Sequence, residues 1–170
     1  MTLISKLLSN QKLVTFGLVF ICAAALGMAL IAEYVFGLAP CNLCIIQRWP
    51  YGIVIGLGLL GFLLSCRYSR GVVVTLILSG LALLFNSVTA FYHSGVELKW
   101  WPSFLEGCSV PELDPNDILA SIEAAPLVRC DEIPWADPIL GLSMANYNVV
   151  FCLGLAVIAF ISAYKIWKSA

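Results

Sequence analysis

Four stretches of this chain run for about the width of a membrane without one charged residue: Leu13 to Ala32, Trp49 to Cys66, Gly71 to Tyr92 and Pro138 to Tyr164. A helix rising about 1.5 Å per residue needs roughly 20 residues to cross about 30 Å of hydrocarbon, and each run approaches or exceeds that length. In lipid every backbone N–H and C=O must find its partner inside the protein, and these runs lack the alternation of barrel strands, so the spans are read as helices. Composition agrees. A chain of 170 residues that is 61% hydrophobic and 11% charged, with a mean hydropathy of +0.97, is too apolar to hide in one soluble core. The expected fold is all-α and integral to the membrane: a four-transmembrane-helix bundle forming a single domain over residues 1–170. Its helices fall near 13–36, 44–66, 71–92 and 139–164, with a short loop near 37–43 and a long one near 93–138. Lys6 and Lys12 ahead of a run containing "CAAALG" resemble a secretory signal, but the run exceeds a typical signal core and three spans follow, so an uncleaved first span is expected.

Charge sets the orientation. Lys6 and Lys12 precede span one, Arg67 and Arg70 occupy the tight turn between spans two and three, and Lys165 and Lys168 follow span four, which assigns these segments and both termini to the cytoplasmic side. Both remaining loops are then exported. The long one carries nine acidic residues from Glu97 to Asp137 against Lys99 and Arg129. Within it "LDPNDILASIEAAP" reads as one short helix, with Asp114 as cap, Pro115 at the first position and Ile118, Leu119 and Ile122 on one face. Pro102, Pro111, Pro126 and Pro134 punctuate the rest, which is expected to be mobile.

This topology sorts seven cysteines into two groups. Cys22, Cys66 and Cys152 lie within spans or at a cytoplasmic end and read as small packing residues. Cys41, Cys44, Cys108 and Cys130 lie on the exported side, an even set in an oxidising compartment. The first two form a Cys-x-x-Cys in "LAPCNLCIIQRWPYG", at the start of the second span. Unpaired N–H groups and the positive end of the helix dipole favour a thiolate there, lowering a free thiol pKa of about 8.5. Arg48, four residues after Cys44, falls one turn further on the same face, where a fixed cation favours the anion again. Trp49 and Tyr51 read as interfacial aromatics, and Pro50 as a residue tolerated near the helix start.

Each part has a structural alternative. The cysteine pair could staple a turn, although so short a loop leaves little unfolded-state entropy to remove, and an interfacial arginine can simply reach toward phosphates. A zinc site would need four thiolates held together in an oxidising compartment, and Cys108 and Cys130 lack the knuckle spacing. Haem attachment fails because Ile45 follows Cys44, and no G-x-G-x-x-G fingerprint supports a nucleotide fold. Two cysteine pairs, one in a loop and one at the lipid boundary, form a relay. The loop pair takes electrons from a soluble dithiol by exchange, the interfacial pair takes them in turn, and a lipid-soluble two-electron acceptor such as a quinone reoxidises the interfacial pair.

These residues resemble the DsbB family of bacterial disulfide bond formation proteins. The likeness rests on "PCNLCIIQRWP", on "YHSGVE" at the end of span three, on the later cysteine pair, and on "CDEIPW" leading to "GLSMANYN" before span four. It implies a thiol:quinone oxidoreductase of the bacterial inner membrane with periplasmic cysteines, disulfides Cys41–Cys44 and Cys108–Cys130, and a ubiquinone or menaquinone as cofactor. Cys108 would be attacked by a periplasmic DsbA-like protein of thioredoxin fold, Cys130 would be displaced and exchange with Cys41, and Cys44 would meet the quinone. Arg48 would sit beside the quinone, and His93 matches a family histidine near its pocket; the plain alternative for His93 is an interfacial residue without chemistry. Gln47 stands where some members carry Glu, and no role is transferred to Glu33. DsbA lies near about −120 mV, so each disulfide here must be strongly oxidising or be drawn forward by its acceptor. The competing reading is a four-span scaffold with purely structural loop disulfides. A transporter is disfavoured because the span centres hold almost no ionisable residue.

Overall fold

The computed structural model describes residues 3–105, 108 and 128–169. The short helix expected over 113–126 lies outside the described residues. Among the described residues there are five helices: α1 (Leu3–Ser9), α2 (Gln11–Tyr34), α3 (Asn42–Leu64), α4 (Ser69–Glu97) and α5 (Met144–Ser169). The last four are each long and apolar enough to cross a membrane, and among the described residues no strand occurs beyond one isolated bridge between Ala136 and Ser143. The molecule is a four-helix membrane bundle, preceded by a short helix that the sequence reading did not anticipate. Asn10 separates α1 from α2 and caps the latter, accepting from the Leu13 N–H at 3.2 Å.

Helix α4 is the centre of the bundle. It packs chiefly on α5 and α3, α3 packs on α2, and α2 barely touches α5. Because lipid tails are as apolar as leucine, close approach of helices depends on small residues. Gly58 shows this: a Cβ there would lie 2.6 Å from Val19 Cγ2 on α2. The core of Leu18, Cys22, Val54, Leu76, Leu83, Ala156, Ala159 and Ile166 fills the bundle, and the weak α2–α5 contact leaves room for a cavity toward one end.

The helix ends position the site, and they differ from the hydropathy reading. Helix α4 continues past Tyr92 to Glu97, because His93 and Glu97 lower the hydropathy while Ser94, Gly95 and Val96 remain buried in helical packing. Helix α5 starts at Met144 rather than 139. Asp137 to Gly141 form a turn first, with Gly141 at φ +67° and its N–H on the Asp137 carbonyl at 2.8 Å, and Ser143 Oγ then accepts from the Asn146 N–H. Helix α3 starts at Asn42, so Pro50 lies well inside it and not near its start, leaving the Ile46 carbonyl without its usual donor. Tyr51 is likewise not an interfacial aromatic: it is buried in the core and donates to Asn148, whereas Trp49 faces outward. The antiparallel order brings the end of α2, the start of α3, the end of α4 and the start of α5 to one end of the bundle.

Candidate active site

The start of α3 is built around sulfur. Cys41 is its N-cap, in extended conformation at ψ 169°, and its Sγ accepts from the Cys44 N–H at 3.3 Å. Cys44 then turns its own sulfur to 2.8 Å from Cys41 Sγ. Both are free thiols, so the pair expected as a disulfide stands here as a dithiol with its sulfurs face to face. His93 Nε2 lies 3.6 Å from Cys41 Sγ, and these three side chains bring their donor atoms within 4.8 Å of one another. Thiolates sharing a tetrahedral zinc at about 2.3 Å would stand roughly 3.8 Å apart. The shorter sulfur spacing suits a covalent S–S bond better than a shared ion. Hydrogen bonding from the Cys44 thiol, then from His93 and the Cys44 N–H, holds Cys41 far below the ordinary thiol range, to about 4, against the opposing effect of burial.

His93 is itself buried and held from several sides. Gln47 Nε2 lies 3.0 Å from His93 Nδ1, Glu97 Oε1 lies 3.7 Å from Nε2, and Ser143 Oγ donates to the Glu97 carboxylate. Gln47 is oriented in turn by Asn148, whose Nδ2 donates to Gln47 Oε1 at 2.6 Å. Asn148 Oδ1 accepts from the Tyr51 hydroxyl and from the Cys152 thiol, and Asn86 Nδ2 donates to Cys152 Sγ at 3.3 Å. A continuous polar chain thus runs from Cys41 into the bundle. Cys152, expected to be a packing residue only, is both in the core and part of this chain.

The second cysteine pair is docked against the first. Cys108 and Cys130 form a disulfide, the Cys130 N–H bonds to the Cys108 carbonyl at 3.0 Å, and neither residue is exposed to solvent. With Cys41, Leu43 and Val96 they make one apolar cluster, flanked by Cys44, Tyr92, Trp101 and Val128. The loop expected to be mobile is, in its described parts, folded down. Lys99 turns the chain at φ +58°, and Trp101 then stacks on Tyr92 with ring centroids 6.0 Å apart while its Nε1–H donates to the Tyr92 carbonyl. Gly95 makes this possible, since a Cβ there would fall 2.0 Å from Trp101 Cζ2. On either side of Cys130, the Arg129 guanidinium bonds both Asp131 oxygens and holds that carboxyl below the usual carboxylate range.

A cavity of about 650 Å³ opens beside Cys44. Ala25, Met28 and Ala29 of α2 and Phe151 of α5 give it apolar walls, and Cys41, Cys44, Gln47, Arg48, His93 and Asn148 supply polar groups at one end. That volume and that mixture are what small-molecule sites offer. Arg48 lines it, but its guanidinium is paired with the Glu33 carboxylate, a partnership the sequence reading did not assign. Gln47 faces His93 and not Arg48. Glu97, Ser143 and Asn148 were also missed as contributors. Their signals were the His-x-x-x-Glu spacing in "YHSGVE" and the polar side chains at the head of an apolar span in "GLSMANYN".

A family profile described as "Disulfide bond formation protein DsbB" matches residues 11–162. The chain is 30% identical over 152 residues to "Disulfide bond formation protein B" of Polaromonas sp. (strain JS666 / ATCC BAA-500), covering 82% of this chain and 83% of that one. It is 32% identical over 155 residues to the protein of the same description from Verminephrobacter eiseniae (strain EF01-2), covering 83% and 80%. It is 29% identical over 154 residues to that from Xanthomonas axonopodis pv. citri (strain 306), covering 88% of each. No solved structure shows a significant match.

Proposed function

The chain belongs to the DsbB family of disulfide bond formation proteins, and from that premise we propose that it is a membrane thiol:quinone oxidoreductase that reoxidises a periplasmic DsbA-like dithiol protein. The supporting observation is one juxtaposition: the Cys108–Cys130 disulfide shares an apolar cluster with Cys41, and Cys41 faces Cys44 on the wall of a largely apolar cavity. Cysteines placed this way can hand two electrons from sulfur to sulfur without a metal.

The partner's thiolate attacks Cys108 Sγ, the Cys108–Cys130 bond breaks, and a mixed disulfide forms. The partner's second thiol resolves it, leaving the partner oxidised and Cys108 and Cys130 reduced, with two electrons and two protons transferred. Cys130 then attacks Cys41 of an oxidised Cys41–Cys44 pair, Cys44 leaves as a thiolate, and Cys108 restores the Cys108–Cys130 bond by displacing Cys41. Stabilising the Cys41 thiolate stabilises the reduced pair, which makes the Cys41–Cys44 couple the better electron acceptor. The cavity fits a quinone head and the first part of its tail: Arg48, Gln47 and Asn148 can face the carbonyl oxygens, and Ala25, Met28, Ala29 and Phe151 the apolar remainder. A ubiquinone or menaquinone held there would supply the two-electron acceptor needed to reoxidise Cys41 and Cys44. His93 brings a titratable ring nitrogen to 3.6 Å from Cys41 Sγ.

In this reading the protein is a multi-pass protein of the bacterial inner membrane, with both termini cytoplasmic and the cysteine end periplasmic. The test uses purified protein in detergent with a reduced DsbA-like partner and a soluble quinone. Wild type is expected to oxidise the partner beyond the equivalents its own disulfides supply only when quinone is present, and Cys44→Ser to stop after the single turnover that Cys108–Cys130 supports. A wild-type protein that binds no quinone and turns nothing over would make the loop disulfides those of a scaffold.

A further inference from the structure

The polar chain leading to Cys41 has a direction. Tyr51 donates to Asn148 Oδ1, which leaves the Asn148 amide nitrogen to donate to Gln47 Oε1 at 2.6 Å; the Gln47 amide nitrogen then faces His93 Nδ1 at 3.0 Å. An amide has one accepting and one donating end, so fixing one end fixes the other. Gln47 presents a donor, and His93 Nδ1 must therefore accept. The single proton of a neutral ring is left on Nε2, which faces Cys41 Sγ at 3.6 Å and Glu97 Oε1 at 3.7 Å. Those neighbours agree independently, because a thiolate and a carboxylate are both acceptors, and a bare Nε2 lone pair between them would be repelled. The Cys130 main chain offers the ring a further acceptor.

We propose that Asn148 and Gln47 are positioning residues that lock His93 in its Nε2–H tautomer and so hold an N–H donor on the Cys41 sulfur. Asn148 acts on the sulfur from two side chains away, touching neither Cys41 nor His93. The tautomer itself is a property of the fold; its value for catalysis rests on the oxidase reading, in which Cys41 must leave as a thiolate. The titratable groups around the ring are Cys41 and Cys44 from the start of α3 and Glu97 from its own helix, and Arg129, Glu132 and Tyr147 line the same cavity.

The sequence contains one histidine, so full-length protein labelled with 15N-histidine gives a single imidazole in a proton–nitrogen correlation spectrum. In reduced wild type at pH 8 the expected result is a neutral ring with Nδ1 bare and Nε2 protonated. A ring with Nδ1 protonated, alone or together with Nε2, overturns the proposal whatever the enzyme does with quinone, and no quinone is needed for the measurement. Asn148→Leu and Gln47→Leu are expected to lower the ratio of the two tautomers roughly tenfold, the scale of one buried hydrogen bond. The same variants should raise the pH of half-maximal Cys41 alkylation by about one unit, read by site-resolved mass spectrometry. An unchanged tautomer ratio in a variant with a wild-type thermal melt also overturns the proposal. If either variant fails to fold, the wild-type spectrum and the other variant decide it.

Discussion

Glu33, near the end of α2, accepts an ion-paired hydrogen bond from Arg48 of α3. The pair ties the helix that forms the outer cavity wall to the helix that carries Cys41 and Cys44, and it holds the guanidinium at the rim of the cavity one turn beyond Cys44. Both side chains are about one-fifth exposed, so the electrostatic contribution to stability is small, and the main consequence is orientation. Glu33→Ala is expected to raise the apparent KM for quinone by roughly threefold to tenfold with a smaller change in kcat, since positioning and not the charge is lost. Arg48→Ala should do more. Quinone titrations at fixed reduced partner separate the two; identical, wild-type-like titrations for both variants would remove Arg48 from the quinone site.

The reduced form should carry an unusually acidic thiol. Cys41 is held far below the ordinary thiol value by hydrogen bonds from Cys44 and His93 and from the Cys44 N–H. In protein reduced before reaction, alkylation of Cys41 by iodoacetamide is expected to persist well below pH 7. Its midpoint should fall toward about 4. The sign for stability follows. A thiol whose folded pKa is depressed stabilises the reduced fold fully above the unfolded value of about 8.5, and this contribution is lost as pH falls toward the folded value. Thermal melts of the reduced protein should therefore drop between pH 8 and pH 5 more than those of Cys41→Ser. Equal drops would mean that Cys41 is an ordinary thiol.

The spans were legible because hydropathy is a property of long windows, but their ends were not. His93 and Glu97 look like a loop to such a window, but Val96 packs between them against Cys108 and Cys130 while His93 meets Cys41 and Glu97 meets Ser143, and all three belong to the last turns of α4. Similarly, "PCNLC" announces a reactive pair by spacing alone, while the neighbours that tune it come from three other segments. Glu33 reaches Arg48 from α2, His93 reaches Cys41 from α4, and Asn148 reaches Gln47 from α5. No local pattern encodes contacts between residues separated by 15, 52 and 101 positions. A polar residue within a span signals that it will find a partner, without saying which.

Gly95 is the tightest point of the cap over the site. An added methyl would overlap the Trp101 indole, a rigid ring already fixed by stacking on Tyr92 and by its N–H bond to the Tyr92 carbonyl. Gly95→Ala should cost about 1–3 kcal/mol, the usual range for overpacking. The loss should be seen as a lower melting temperature together with a shift in tryptophan emission as Trp101 leaves its stack. A Trp101→Ala change in the same chain should recover part of that loss, because the obstructing ring is gone. A wild-type melt for Gly95→Ala would mean that the turn after α4 gives way freely.

The Cys108–Cys130 disulfide is fully buried against Cys41, Leu43 and Val96, and that placement suits exchange with Cys41 while denying a soluble partner the in-line approach that attack on Cys108 requires. In the oxidase reading, the segment docked at Cys108 and Cys130 therefore lifts for the partner and settles again for internal transfer. An apolar contact holds it down, so trimming that contact shifts the balance toward the lifted form. Val96→Ala removes two buried methyl groups' worth of packing, worth about 1–2 kcal/mol, without touching a sulfur. Reduction of Cys108–Cys130 by dithiothreitol, followed by mass spectrometry under conditions where the lifted form is in rapid exchange, should accelerate roughly fivefold to thirtyfold. Internal transfer should slow in the same variant, because the docked arrangement that brings Cys130 to Cys41 is less populated. Faster reduction with unimpaired transfer would separate the docking of this disulfide from its delivery to Cys41. Unchanged reduction would show that the disulfide is reached without lifting the loop off Val96.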